Sequence, residues 1–221
     1  MVPKGAKPFI VSFEGIEGSG KTTQFNLFVE LVKKTSLPFL ALREPGSTPL
    51  GEEIRKILLH SRFNISPLGE ALLFCASRVQ MLQEKVSPLK KKVSLLVLDR
   101  FLDSTLAYQG SGKLDMEYEE FEEMVFKLSL GYAPHLTFVF DLDPRRALAR
   151  KKDRDRFFKR NIDFHRRVRN SYLKLARRFP KRVVVLDSSL KEEEVFSQLK
   201  TIFLKRCPPV LRNSIKRSGI I

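Results

Sequence analysis

Two periods of hydrophobic spacing alternate along this chain. Phe9–Phe13 (FIVSF) is a short apolar, β-branched and aromatic run, the pattern of a buried strand. Gly15–Thr22 follows, and over Thr23–Lys34 the residues Phe25, Phe28, Val29 and Val32 recur at helical spacing. Leu37–Leu42 reads as a second strand, and Arg43–Pro49 (REPGSTP) as a loop by its Pro and Gly. Leu50, Ile54, Ile57 and Leu58 mark a helix, and Pro67 opens another over Leu68–Lys85. Ser94–Leu98 (SLLVL) is a third strand, ending in Asp99–Arg100. Met116–Leu130 puts Phe121, Met124, Val125 and Leu128 on one helical face. His135–Phe140 and Arg182–Leu186 read as strands, with helices over Pro144–Arg154 and Phe158–Phe179 between them. Glu192–Leu204 is the last predicted helix. Cys207–Ile221 opens on Pro208-Pro209, shows no period and reads as irregular.

Short buried strands alternating with helices predict an α/β fold of parallel βαβ units. Ligands in such folds bind at the carboxyl ends of the strands. The chain has 221 residues, the size of one domain, and no internal repeat. Its longest apolar runs are far too short for a membrane span. The N-terminus lacks the features of a secretory signal, and two cysteines, Cys75 and Cys207, make no disulfide framework. A cytoplasmic protein is expected. Charge changes the picture more than composition does. Lys and Arg number 41 against 25 Asp and Glu, for a net charge of +16. From Arg145 to Arg182 there are 17 basic and 3 acidic residues, so one segment carries nearly all of the excess. That predicts an anionic partner near this segment, either nucleic acid or a phosphate-rich small molecule.

The strongest chemical signal is Gly15-Ile16-Glu17-Gly18-Ser19-Gly20-Lys21-Thr22, which fits G-x4-G-K-[ST] between a strand and a helix. Glycines let backbone N–H groups close on phosphate oxygens, and the helix N-terminus adds partial positive charge. Lys21 is the expected bridge to the β- and γ-phosphates, and Thr22 the expected hydroxyl facing Mg²⁺. Asp99, ending a neighbouring strand, is placed to face the same metal, or else to cap a helix. This much predicts an NTP-binding phosphoryl-transfer protein and leaves the acceptor open.

Further motifs address the acceptor. FEGIEGSGKTTQ, REPGSTPLGEEIRKILL, ALLFCASR, DRFLDSTLAYQG and, more weakly, DRF with FHRRVRNSYLKLA occur in order between about Phe9 and Ser189. With these motifs the chain resembles the thymidylate kinases of bacterial type, within the P-loop nucleoside monophosphate kinases. The resemblance implies a P-loop NTPase fold with a five-stranded parallel sheet of order 2-3-1-4-5 flanked by helices. It also implies a kinase domain over residues 1–206, a basic lid at about 145–160, and a tail over 207–221. ATP as co-substrate, Mg²⁺, dTMP as acceptor and a homodimer follow from it, with no dedicated nucleic-acid or membrane partner.

The same resemblance implies roles. Ile16, Gly18, Ser19, Gly20 and Thr23 would join Gly15, Lys21 and Thr22 around ATP. Glu17 would touch the acceptor sugar 3′-hydroxyl. Glu44 and Arg55 would lie at the acceptor phosphate, with Arg100 as its second clamp. Phe74 would stack on the base, Arg78 would bond its edge, Thr105 and Gln109 would meet the pyrimidine, and Tyr108 would lie beneath the deoxyribose. Family members draw an arginine from the P-loop or from the lid. Here Gly18 follows Glu17, so the lid must supply it from among Arg150, Arg154, Arg156 and Arg160, with Arg156 the first choice, Arg154 the second, and Arg150 expected instead against adenine; most of the segment's other basic side chains are expected to be solvated. The lid departs from the family pattern: Asp155-Arg156-Phe157 is followed by Phe158 where an acidic residue is usual. Two other readings stay open: a different pyrimidine monophosphate kinase, and a P-loop NTPase that binds nucleic acid through the basic segment.

Overall fold

The computed structural model describes residues 7–62, 64–112, 114, 116–150 and 155–218. Five strands form one parallel sheet: β1 (Phe9–Glu14), β2 (Phe39–Arg43), β3 (Leu95–Asp99), β4 (Leu136–Asp141) and β5 (Val183–Asp187). Their spatial order is β2-β3-β1-β4-β5, with Val11 in register with Val97 on one side and Leu136 on the other. The strand order is the one the family resemblance implies.

Period-2 alternation in β1 explains how the sheet acquires two cores. Ile10 belongs to one cluster, with Leu96, Leu98 and Val139. Its neighbour Val11 belongs to the other, with Phe13, Val97 and Phe138. The first face is covered by α3 (Pro67–Met81), α4 (Leu102–Tyr108), α5 (Tyr118–Lys127) and α7 (Ile162–Arg178). The second is covered by α1 (Lys21–Lys33), α8 (Glu192–Arg206) and α9 (Pro209–Arg217). Phe13 anchors the second face, its ring 5.5–5.9 Å from those of Phe25, Phe28, Phe138 and Phe140. The remaining helices are α2 (Pro49–His60) and α6 (Pro144–Arg150). After Met81 the chain tightens through a π-helical turn, Leu82–Val86, and a 3-10 turn, Ser87–Leu89. The single helix expected over Leu68–Lys85 therefore loses its α-geometry at Met81.

Two elements differ in kind from the expectation. The tail is helical rather than irregular over Pro209–Arg217. Proline is accommodated in a first helical turn, and Leu211 and Ile215, one turn apart, are buried against the second core. Helix α4 went unread because all seven of its residues are buried, which leaves no polar face and so no period. Helix α7 starts at Ile162, where the Asn161 side chain accepts a hydrogen bond from the Phe164 N–H, rather than at Phe158.

Candidate active site

The carboxyl ends of β1, β2 and β3 open into one cavity of about 730 Å³. Its floor is the loop after β1. Gly20 caps α1 in the left-handed region with φ +84°, and no side chain caps that helix. The N–H groups of its first turn therefore stand ready for an anion. Gly18 shows why glycine is needed: φ is +74°, and a Cβ there would run into the Ala147 carbonyl at α6. Gly18→Ala is expected to cost folding stability and weaken nucleotide binding together, which a thermal-shift titration with ATP would register.

Lys21 Nζ lies 2.5 Å from Asp99 Oδ1, and both side chains are buried. Burial pushes the Lys21 ammonium down and Arg100 adds to this, while Asp99 pulls it back up. Burial raises the Asp99 carboxyl, but the charge and hydrogen bond of Lys21 outweigh it, with Arg100 and Arg55 helping, and hold the carboxyl below its ordinary range. The net effect lowers the Lys21 ammonium, opposed by an ionised Asp99 at that distance.

Arg100 has φ +70°, uncommon for a residue with a side chain. Such strain persists where the surroundings over-determine a conformation, often at functional sites. Here they do. Arg100 Nη1 donates to Ser104 Oγ at 3.1 Å, and Nη2 to Glu17 Oε1 at 3.1 Å and to the Tyr108 hydroxyl at 3.2 Å. Burial works against its charge, yet Tyr108, Tyr172 and Glu17 hold the guanidinium well above its ordinary range. Burial raises the Tyr108 phenol, so it keeps its proton and donates to both Glu17 oxygens at 2.8 Å.

Behind Arg100 lies Glu14, wholly buried at the end of β1. Its Oε1 accepts from the Phe101 N–H at 2.8 Å, and its Oε2 meets the hydroxyls of Ser104 and Tyr172. Burial first, then the charge of Asp103, push this carboxyl from 4.5 up to about 8. Between those values the fold holds a proton that the unfolded chain has released, so stability falls as pH rises through the window and levels off above it. Glu14→Gln is expected to flatten that fall, as read from denaturation midpoints between pH 5 and 8.

Arg55 and Phe74 also face the cavity, Arg55 from α2 with its Nη1 donating to the Pro45 carbonyl at 3.0 Å. Of the residues singled out in the sequence, Ile16, Glu17, Gly18, Ser19, Gly20, Lys21, Thr22, Thr23, Glu44, Arg55, Phe74, Asp99, Arg100, Thr105, Tyr108, Gln109 and Arg150 line this one cavity. Gly15, Arg78 and Arg156 do not, and Arg154 lies outside the described residues. Arg78 is fully buried behind the wall, paired with Glu44 at 2.8 Å and donating to Thr105 Oγ1 at 2.7 Å. Arg156 turns toward α2 and α3, with Nε on the Leu58 carbonyl at 2.9 Å and Nη1 on Glu70 at 2.9 Å. Arg160 joins it on Glu70 at 2.5 Å, and Gln109 reaches the same carboxylate at 3.4 Å. The buried Glu70 thus offers Arg156 and Arg160 a carboxylate from α3, in a chain that has Phe158 where the family resemblance leads one to expect an acid. Phe157, between them in sequence, packs 5.9 Å from the rings of both Phe74 and Tyr108.

Sequence reasoning passed over Glu14, Glu70, Ser104, Phe157, His165 and Tyr172. All but Glu70 lie within the same motifs, FEG, DRFLDST, DRF and FHRRVRNSY, and Glu70 stands one residue before ALLFCASR. Part of the basic segment is neutralised by carboxylates from elsewhere in the fold. Arg169 pairs with Asp141, Arg178 with Glu122, Arg182 with Asp103, and Arg156 and Arg160 with Glu70. Among the described residues no helix is long and apolar enough to cross a membrane.

Known proteins place this chain in a family. The thymidylate kinase family model matches residues 13–199. A thymidylate kinase of Kosmotoga olearia is 41% identical over 197 residues, covering 88% of this chain and 94% of that protein. One from Chlorobaculum tepidum is 39% identical, covering 86% and 94%. The crystal structure of a thymidylate kinase from Ehrlichia chaffeensis superposes with a TM-score of 0.72 at 28% identity, covering 89% of this chain and 98% of that one. With a match over most of its length and the fold to go with it, the chain belongs to the thymidylate kinase family.

Proposed function

We propose that this cavity transfers the γ-phosphoryl group of ATP to the 5′-phosphate of dTMP, giving ADP and dTDP for dTTP synthesis. The observation that carries the reading is a knot of cations around one cleft. Burial lowers the Lys21 ammonium against the pull of Asp99, and the charge of Arg100 adds to this; burial and then Arg43 lower the Arg55 guanidinium, with Arg100 adding again. Cations held together in this way invite anions between them. Two phosphate groups that repel one another can be brought together only in such a place.

An acceptor phosphate oxygen attacks the γ-phosphorus in line, and the bond to the β,γ-bridging oxygen breaks as ADP leaves. The loop after β1 and Lys21 hold the donor phosphates, while Arg55 and Arg100 hold the acceptor phosphate, each with a planar fork suited to it. Phe74 stacks on thymine, Thr105 and Gln109 meet the base, and Tyr108 lies under the deoxyribose. Arg78 acts on the base edge through Thr105, and Glu44 keeps Arg78 in place. Glu17 accepts from the sugar 3′-hydroxyl.

Thr22 and Asp99 would hold Mg²⁺. A hydroxyl and an ionised carboxylate are hard oxygen donors, too few for a protein cage, which suits an ion that takes the rest of its shell from phosphates and water. When bound, it neutralises charge on the β- and γ-phosphates. Arg150 stands at the adenine side, held by the Ser188 carbonyl at 3.3 Å. Arg154 or Arg156 supplies the lid cation at the transferring group. For Arg156 this means leaving Glu70 and Leu58 as the lid closes over ATP and excludes water.

ADP release with ATP, Mg²⁺ and a panel of dTMP, dUMP, buffer and single-stranded DNA tests the reading. Release is expected to be fast with dTMP and slower with dUMP, since one methyl is worth about 1–3 kcal/mol. Equal rates with dUMP and dTMP would point to a broader pyrimidine kinase. Release that ignores dTMP and rises with DNA would point to a nucleic-acid-dependent NTPase.

A further inference from the structure

His165 is wholly buried on α7, and neither of its ring nitrogens has a hydrogen-bond partner. A buried imidazole in that state calls for a reason, because buried polar groups are almost always paired. Core packing does not supply one, since a leucine would fill the space without two unmet polar atoms. The reason lies 3.7 Å away, where His165 Nδ1 faces Glu17 Oε2. Glu17 belongs to the cavity wall and His165 does not. The imidazole therefore stands behind the carboxylate, on the side away from any ligand. On the other sides Glu17 is gripped by the Tyr108 hydroxyl at 2.8 Å and by Arg100 Nη2 at 3.1 Å.

Resting on the function proposed above, we infer that His165 is a positioning residue for Glu17. A shift of about half an ångström brings Nδ1–H into hydrogen-bonding range of Oε2. Hydrogen bonds around a reacting group commonly tighten when substrate binds. The occasion for the shift is built into the cleft. When an acceptor phosphate engages Arg100, the guanidinium has a second anion to serve and its hold on Glu17 loosens. His165 then takes up the carboxylate, fixing its rotation so that one oxygen remains turned toward the sugar 3′-hydroxyl. His165 thus contributes to recognition of a 3′-hydroxylated acceptor without touching it.

The test pairs two variants with two acceptors. His165→Leu fills the space but donates nothing, while His165→Asn keeps an N–H near the place of Nδ1. With dTMP, His165→Leu is expected to raise KM about three- to tenfold, the range of an ordinary net hydrogen bond. The KM for ATP stays within about twofold, and His165→Asn recovers most of the loss. With 3′-deoxy-dTMP, wild type and His165→Leu converge. The melting temperature of His165→Leu does not fall, because the substitution removes unsatisfied polar atoms from the core. If wild type turns over dTMP and His165→Leu matches it, or loses equally on both acceptors, or is not rescued by Asn, the inference falls while the kinase reading stands. A wild type without dTMP turnover would overturn both.

Discussion

Arg100→Ala is expected to lower kcat/KM for dTMP by about 10²–10³-fold, the usual cost of removing one preorganised charge stabiliser. The effect should fall on the acceptor side, leaving the KM for ATP within a few-fold. Arg100 follows β3, and its guanidinium is held by Ser104, Tyr108 and Glu17. That preorganisation is what alanine removes, because the loop, Lys21 and Arg55 all remain. A structural explanation of the loss is separable. Arg100 adopts φ +70°, so alanine inherits the backbone strain and glycine relieves it. Arg100→Gly should therefore be at least as stable as Arg100→Ala in urea while remaining as inactive. Activity that followed stability across the two variants would remove Arg100 from the acceptor clamp.

The second large effect concerns Lys21. Lys21→Met is expected to lower kcat by about 10²–10³-fold. It should also destabilise the fold by up to about 3–5 kcal/mol, because it strands a buried Asp99 without its counter-ion. The two losses have different origins. The double variant Lys21→Met/Asp99→Asn removes both charges and should regain much of the stability in chemical denaturation while regaining no activity. Recovery of turnover in the double variant would mean that Lys21 serves only to neutralise Asp99.

Much of this was legible in the sequence because local rules and tertiary context agreed. FIVSF and SLLVL are strands by composition and by burial, and the glycines after β1 sit where the loop needs left-handed backbone. Most of the residues expected around ATP and the acceptor converge on one cavity, and the motifs of many of them lie at the carboxyl ends of adjacent parallel strands. What escaped reading follows from burial on all sides. Helix α4 has no polar face, so periodicity was silent over the element that carries Ser104, Thr105 and Tyr108. Arg78 looks like any arginine on a helix, and only the fold shows it withdrawn onto Glu44. Arg156 and Arg160 read as solvated or catalytic cations, yet their partner Glu70 lies far away in sequence on another helix. Long-range charge pairs of this kind leave no local pattern. For the same reason the basic segment suggested an external anion, when several of its charges are met by carboxylates elsewhere in the same chain.

The most direct measurement of the central claim follows the transferred group itself. The protein is incubated with [γ-³²P]ATP, Mg²⁺ and dTMP, and the nucleotides are separated. The account predicts label in dTDP, one per ADP formed, with negligible labelled inorganic phosphate and little ADP when dTMP is omitted. Label appearing as inorganic phosphate at a rate indifferent to dTMP would contradict it.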